Sequence, residues 1–380
     1  MNNLIDLLSY GQSYWLDNLT REKITGGEIK QRMTLQGLRG ITSNPSIFNK
    51  AITESDSYDE QIASLVKQGS NLAGIYENLT VKDVQDACDI LKPVFEQSGG
   101  IDGFVSLEVS PYLARNTNGT IDEVHRLSRE VNRPNCYIKI PGTQEGIPAI
   151  EQSLYEGIPI NITLLFSVMR YAEVAEPYIR ALRRRDAEGL PVDKVVSVAS
   201  FFLSRIDTLT DQLLKDQINS KEGLSGNDRL LLTSLMGKAG IASARMAYQK
   251  FLELFGSPVW KQLEKKGAHV QRLLWASTSN KDPLYNDLRY VEPLIGRDTV
   301  NTLPDATIEA LSDHGKLKEN TIEDDLEGSR QLFGQLRKVG VDIDLVSIQL
   351  ENEGIQKFTE SYKNLLNDLE KKRADLKGEK

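Results

Sequence analysis

Asn135-Cys136-Tyr137-Ile138-Lys139-Ile140-Pro141-Gly142-Thr143 reads as a short apolar strand with a lysine at its centre and a Pro-Gly exit. Burying an ammonium group costs hydration and drives its pKa toward neutrality. An amine that is neutral near pH 7 is a nucleophile for carbonyl carbon, the first requirement of Schiff-base chemistry. The alternative is a lysine whose stem crosses the strand while its head reaches water. The runs on either side choose between these readings, and they also set the fold.

Eight short apolar runs ending in polar residues recur along the chain. They are Ser13–Asp17, Leu38–Asn44, Phe104–Val109, Tyr137–Pro141, Ile160–Phe166, Val195–Phe202, Arg272–Thr278 and Thr299–Leu303. Amphipathic segments lie between most of them, for example Leu203–Leu214 and Asp228–Phe255. Strands alternating with helices imply a parallel sheet. Eight such units at this length predict an α/β fold, a single (β/α)8 TIM barrel spanning residues 1–380 with additional helices.

Asp342–Leu350 could be a ninth strand. Its apolar residues instead continue at helical spacing through Leu345, Ile348, Ile355, Phe358, Tyr362, Leu365 and Leu369. A long C-terminal helix is therefore expected, capped by Asp342 or Asp344 and bent at Gly354. The charged stretch Asp368–Lys380 is expected to fray. Leu203–Gln271 is long enough to form helices over a site or a subunit contact. Arg183-Arg184-Arg185 is expected on a solvated helix face.

The 380 residues are 39% hydrophobic and 26% charged, with a net charge of −8. That balance suits a globular protein and argues against a general nucleic-acid binder. It still allows a phosphorylated small molecule, which needs only one or two local cations. Cys88 and Cys136 are too few for a disulfide framework, and His125, His269 and His314 form no metal-binding motif. Neither a basic leader nor a membrane-length apolar run is visible, so the expected setting is reducing and cytoplasmic, without a membrane partner. The assembly expected is a monomer or a homodimer.

Alternate residues of a barrel strand face the interior. Ser106 and Glu108 share one face of their run, opposite Val105, Leu107 and Val109. Asn161 and Thr163 share a face, as do Thr42 and Asn44, and Ser13, Trp15 and Asp17. The same parity groups Ser200 with Phe202, Trp275 with Ser277, and Lys139 with Tyr137. Polar groups near the C-terminal ends of so many strands predict one converging site, where barrel enzymes place their chemistry.

These residues carry a resemblance. Gly11–Asp17, Gly40–Phe48, Val105–Val109, Ile138–Thr143 and Asn161–Phe166 resemble the corresponding stretches of transaldolases, in order. The likeness continues through Trp275–Thr278 and Asn301–Pro304, and the Thr42-Ser43-Asn44-Pro45-Ser46 version is similar to the longer bacterial branch. The resemblance implies transfer of a dihydroxyacetone unit from sedoheptulose 7-phosphate to glyceraldehyde 3-phosphate, giving erythrose 4-phosphate and fructose 6-phosphate. This is a step of the pentose phosphate pathway, and it implies no metal and no organic cofactor.

By the same resemblance Lys139 is the Schiff-base lysine, Glu108 the acid/base working through a water, and Thr163 the hydroxyl that fixes this water. Asp17 is the base for the C4 hydroxyl. Asn44, Asn161 and Ser200 bind the sugar, Phe202 forms a pocket wall, and Arg205 and Ser277 bind phosphate. Shorter members carry an arginine within Ala-Ser-Phe-Arg. Here the run is Ala276-Ser277-Thr278-Ser279-Asn280-Lys281, so Lys281 is expected to supply the second cation, without arginine's fork. Each assignment has a plain structural rival. Glu108 could form a salt bridge that keeps Lys139 charged, Asp17 could cap a helix at Asn18-Leu19-Thr20-Arg21, and Lys281 could be an exposed turn lysine.

Other functions fit the residues less well. A free aldolase needs Lys139 too, and differs in how the intermediate is shielded. A non-catalytic sugar-phosphate binder predicts loss of Asp17, Glu108 or Lys139, and all three are present. A metal-dependent hydrolase would want histidine clusters.

Overall fold

All eight expected strands form, pair in parallel and close on themselves: β1 Gln12–Leu16, β2 Gly40–Ile41, β3 Phe104–Glu108, β4 Cys136–Pro141, β5 Ile160–Leu165, β6 Ser197–Phe202, β7 Arg272–Ala276 and β8 Thr299–Leu303. The description comes from a computed structural model and covers residues 3–220 and 223–377. β2 is shorter than its run because Asn44 is already a helix cap. Its Oδ1 accepts from the Ile47 N–H and Pro45 opens the helix Pro45–Thr53, a position that tolerates proline's missing donor.

The N-terminal end of the barrel is filled, not hollow. Tyr137 stacks on Phe104 with ring centroids 4.0 Å apart, and Trp15 lies 6.1 Å from Tyr137. A Cβ on Gly40 would sit 2.4 Å from the Trp15 ring, so only glycine fits beneath it. Arg272 donates to Asp102 at 3.0 Å and to the Ser13 hydroxyl at 2.6 Å, and Trp15 Nε1 also donates to Asp102. This buried, fully bonded network closes the floor and leaves the C-terminal end open.

The amphipathic segment Asp228–Phe255 forms two helices, Gly226–Leu235 and Ala239–Phe255, because Gly237 adopts φ +66° and gives its N–H to Asp211 instead of to a helical carbonyl. Arg185 is not on a solvated face with Arg183 and Arg184. It is buried, and its guanidinium donates to the carbonyls of Pro191 and Tyr155, tying off a turn and a helix end.

The last helix runs from Ile343 to Lys377, with the Asp342 carboxylate accepting from the Asp344 N–H. It stays helical beyond Asp368 where fraying was expected. There Leu369 is buried, and Lys372 donates to the Ile52 carbonyl and pairs with Asp59 at 2.7 Å. Residues 378–380 of that stretch lie outside the described residues. The assigned helix continues through Gly354, the expected bend, which allows close packing on the barrel. A Cβ there would be 3.0 Å from Leu164. Leu164 itself has φ +61° at a register shift in β5, a strained conformation for leucine that the helix above it helps hold.

Candidate active site

The strand ends surround a cavity of about 260 Å³ at the C-terminal face. Of the residues expected in the site, Asp17, Asn44, Lys139, Thr163, Ser200, Phe202, Arg205, Ser277 and Lys281 line it. Glu108 and Asn161 do not. A larger cavity, about 740 Å³, opens at the opposite end of the barrel beside Cys136 and Val196 and carries none of these groups.

Glu108 and Lys139 are register partners on β3 and β4, and Lys139 pairs in turn with Asn161 on β5. That register puts Lys139 Nζ 3.2 Å from Glu108 Oε2, while the same ammonium donates to the Ser43 carbonyl at 3.1 Å. The direct ion pair weighed against catalysis in the sequence is therefore formed. Burial raises the Glu108 carboxyl above the usual carboxylate range, and the Lys139 charge opposes that shift without cancelling it. Glu108 Oε1 and Thr163 Oγ1 are both buried without a protein partner among the described residues.

Asp17 follows β1 and does not cap a helix. The cap of the next helix, Arg21–Thr25, is Thr20, whose hydroxyl accepts from the Lys23 N–H. Asp17 instead accepts from Thr42 Oγ1 at 2.7 Å. Thr42 has one hydroxyl proton, so Thr302, 2.6 Å away, must donate to Thr42. Burial raises the Asp17 carboxyl, partly offset by the Thr42 hydrogen bond and by the charges of Lys139 and Lys281.

Strict alternation misplaces one strand. Leu274 and Ala276 line the cavity. Trp275 points outward, packing edge-on against Phe201 and donating to the Leu294 carbonyl. Ser277 reaches the mouth only because it lies beyond β7 at φ +54°, where its hydroxyl meets Ser204 Oγ at 2.8 Å.

Arg205 is the second residue of the helix Ser204–Ser220 that follows β6. Its Nη1 is buried with no protein partner among the described residues, and its guanidinium lies 5.5 Å from the Phe202 ring. Burial lowers its pKa, yet arginine stays charged at physiological pH. Lys281 is exposed at the rim and donates to Ser279 Oγ at 2.6 Å. Asn161 is fully buried one layer below Thr163, with its amide donating to Ser106 and accepting from Ser200.

Among the lining residues that were not expected to act there are Thr42, Thr302 and Phe358. Thr42 was legible as an inward polar residue on its strand. Thr302 has the same signal. Phe358 belongs to an apolar helical stripe that reads as core, and nothing local to it marks a cavity wall. Among the described residues of the segment 203–271, Arg205 alone reaches the lining, and Phe358 brings the C-terminal helix to it.

The family model for transaldolase/fructose-6-phosphate aldolase matches residues 14–369. The chain belongs to this family. It is 46% identical over 374 residues to transaldolase 2 of Nostoc punctiforme, covering 98% of this chain and 97% of that one. It is 45% identical to the transaldolase of Trichodesmium erythraeum, with 98% and 97% covered. It is 42% identical to that of Mycobacterium bovis, with 96% of each covered. By this likeness the protein is an enzyme of the transaldolase type. The family's general chemistry is transfer of a dihydroxyacetone unit through a lysine Schiff base, in the pentose phosphate pathway.

Proposed function

We propose that Lys139 is the nucleophile and that the donor and acceptor are sedoheptulose 7-phosphate and glyceraldehyde 3-phosphate, reversibly. The single observation carrying this reading is the Lys139 ammonium, buried in the cavity wall and hydrogen-bonded to Glu108. The raised Glu108 carboxyl is a suitable acceptor for the lysine proton, which frees the amine. The amine attacks the ketose C2 carbonyl to give a carbinolamine. Glu108 then donates a proton, through a water shared with Thr163, as hydroxide leaves and the iminium forms. The unpartnered Glu108 Oε1 and Thr163 Oγ1 suit that water.

Asp17 takes the proton of the C4 hydroxyl. The C3–C4 bond breaks, its electron pair passes into the iminium, and the aldose departs, leaving an enamine on Lys139. The acceptor aldehyde adds by the reverse of this step, with Asp17 returning the proton. A carboxylate whose pKa is raised by burial is a stronger base than a solvated one.

Arg205, Ser277 and Lys281 are assigned to the substrate phosphate, with Asn44 and Ser200 on the sugar hydroxyls and Phe202 as the wall. Asn161 holds Ser200 in place through the hydrogen bond between them. We read the chain as one catalytic domain in a reducing, cytoplasmic setting. No helix among the described residues is long and apolar enough to cross a membrane.

The test is borohydride reduction in the presence of fructose 6-phosphate, followed by peptide mass mapping. A reduced dihydroxyacetone adduct on Lys139 is expected. A folded enzyme with no adduct at Lys139 would overturn the assignment.

A further inference from the structure

The loop after β7 carries two of the phosphate candidates, Ser277 and Lys281, and its far end is tied to the helix that carries the third. Tyr285 donates to Asp211 at 3.0 Å and Tyr290 donates to Asp207 at 2.7 Å. Arg289 donates to Asp207 and to the Gly237 carbonyl, with its guanidinium 3.8 Å from the Tyr285 ring centroid. Asp207 and Asp211 lie one turn apart on Ser204–Ser220, the helix that begins with Ser204 and Arg205. Their remaining oxygens accept the N–H groups of Gly240 and Gly237, each at 2.7 Å. Both carboxylates are buried and multiply bonded, so neither can swing without stranding a backbone donor.

The tie continues to the rim. Asn280 donates to the carbonyls of Asp282 and Tyr285, both at 2.7 Å, and accepts from the Asp282 N–H. Lys281 is the residue between Asn280 and Asp282. A chain of hydrogen bonds thus runs from the helix of Arg205, through Asp211 and Tyr285, to Asn280 and Asp282, the chain neighbours of Lys281. At Gly237 a side chain is excluded, because a Cβ would sit 2.6 Å from the Tyr285 ring tip.

We propose that Tyr285, fixed by Asp211, is a positioning residue for substrate phosphate: it sets where Lys281 stands relative to Arg205. The proposal rests on the assignment of Arg205 and Lys281 to the phosphate. The physical need is plain. Lysine offers a point charge on a flexible stem, and here it stands exposed on a loop. Fixing the loop before the substrate arrives lowers the ordering cost of binding.

The experiment compares Tyr285→Phe, Lys281→Ala and the double variant. The readouts are KM for fructose 6-phosphate, kcat, and the inhibition constant of inorganic phosphate. Tyr285→Phe is expected to raise KM and the phosphate inhibition constant together, roughly three- to tenfold, with kcat moving less than about twofold. The double variant is expected to bind phosphate no more weakly than Lys281→Ala alone. Asp211→Asn, a second route to the same lesion, is expected to behave like Tyr285→Phe. Unchanged phosphate inhibition in both Tyr285→Phe and Asp211→Asn, while Lys281→Ala weakens it, overturns the brace and leaves the phosphate assignment standing. Full multiplication of the two effects in the double variant also overturns the brace. Phosphate inhibition that survives Lys281→Ala but is lost in Arg205→Ala overturns the Lys281 assignment, and the brace with it.

Discussion

Lys139 Nζ lies 3.2 Å from Glu108 Oε2, with both side chains 7% exposed. In the proposed mechanism this ion pair is the acid/base couple, and the first step is proton transfer within it.

Glu108→Gln keeps the size and an oxygen for the lysine but cannot take or give the proton. Steady-state kinetics should show kcat down by about 10²- to 10⁴-fold. Borohydride should still trap the Lys139 adduct, at a lower rate. Wild-type kcat in Glu108→Gln would remove Glu108 from the chemistry.

Thr42→Val removes the hydrogen bond that lowers the Asp17 pKa. In its proposed role Asp17 is a base only when ionised, so activity should fall as pH drops through its pKa. Burial already holds that value above the usual aspartate range, about 3.9. The acid limb of the kcat/KM profile should therefore move to higher pH in Thr42→Val. The limb is a property of Asp17 and Glu108 together, since their charges interact. A limb that stays put would show that Thr42 does not tune the base.

Asp17→Asn should trade activity for stability. A carboxyl whose folded pKa is raised stabilises the protein below its unfolded pKa, and this stabilisation is lost as pH rises through the folded value. At pH 7 the burial cost of the charged Asp17 is present, and the amide removes it. Thermal unfolding should show a higher Tm for Asp17→Asn at pH 7, with the gap closing as pH approaches 3.9. The same variant should lose about 10²- to 10⁴-fold in kcat.

Arg272→Met should cost about 3 to 5 kcal/mol, because it leaves Asp102 charged and buried with only the neutral donors of Ser13 and Trp15. Urea unfolding would read this as a lower midpoint at similar slope. Adding Asp102→Asn should recover part of the loss. A surface-like change of under about 1 kcal/mol would mean the floor network carries little of the stability.

The barrel was legible because its signal is local. Each run between turn or helix signals announces a strand, and eight of them with helices between allow few topologies. The converging groups were legible by parity on β1 to β6. Parity failed at β7, since Trp275 and Ser277 share a sequence spacing but not a face. Ser277 has a positive φ, and its hydroxyl meets that of Ser204. Asn161 lies inside, as parity expected, but its register partner Lys139 and its bond to Ser200 depend on strand pairing, which no single strand encodes.

By itself the sequence determined the period-two strands, the helix spacing of the last 35-residue element, and the presence of lysine and two carboxylates at strand ends. These follow from nearest-neighbour sterics and from hydrophobic periodicity, which act within one segment. Only the tertiary structure decided that Glu108 pairs with Lys139, that Asp17 answers to Thr42 and not to a helix terminus, and that Phe358 lines the cavity. It also decided that the loop carrying Lys281 is tied through Tyr285 to the helix of Arg205. Each of these joins residues far apart in the chain, and what selects among them is the cost of burying a charge or a donor unpaired, a cost defined only once the barrel has closed.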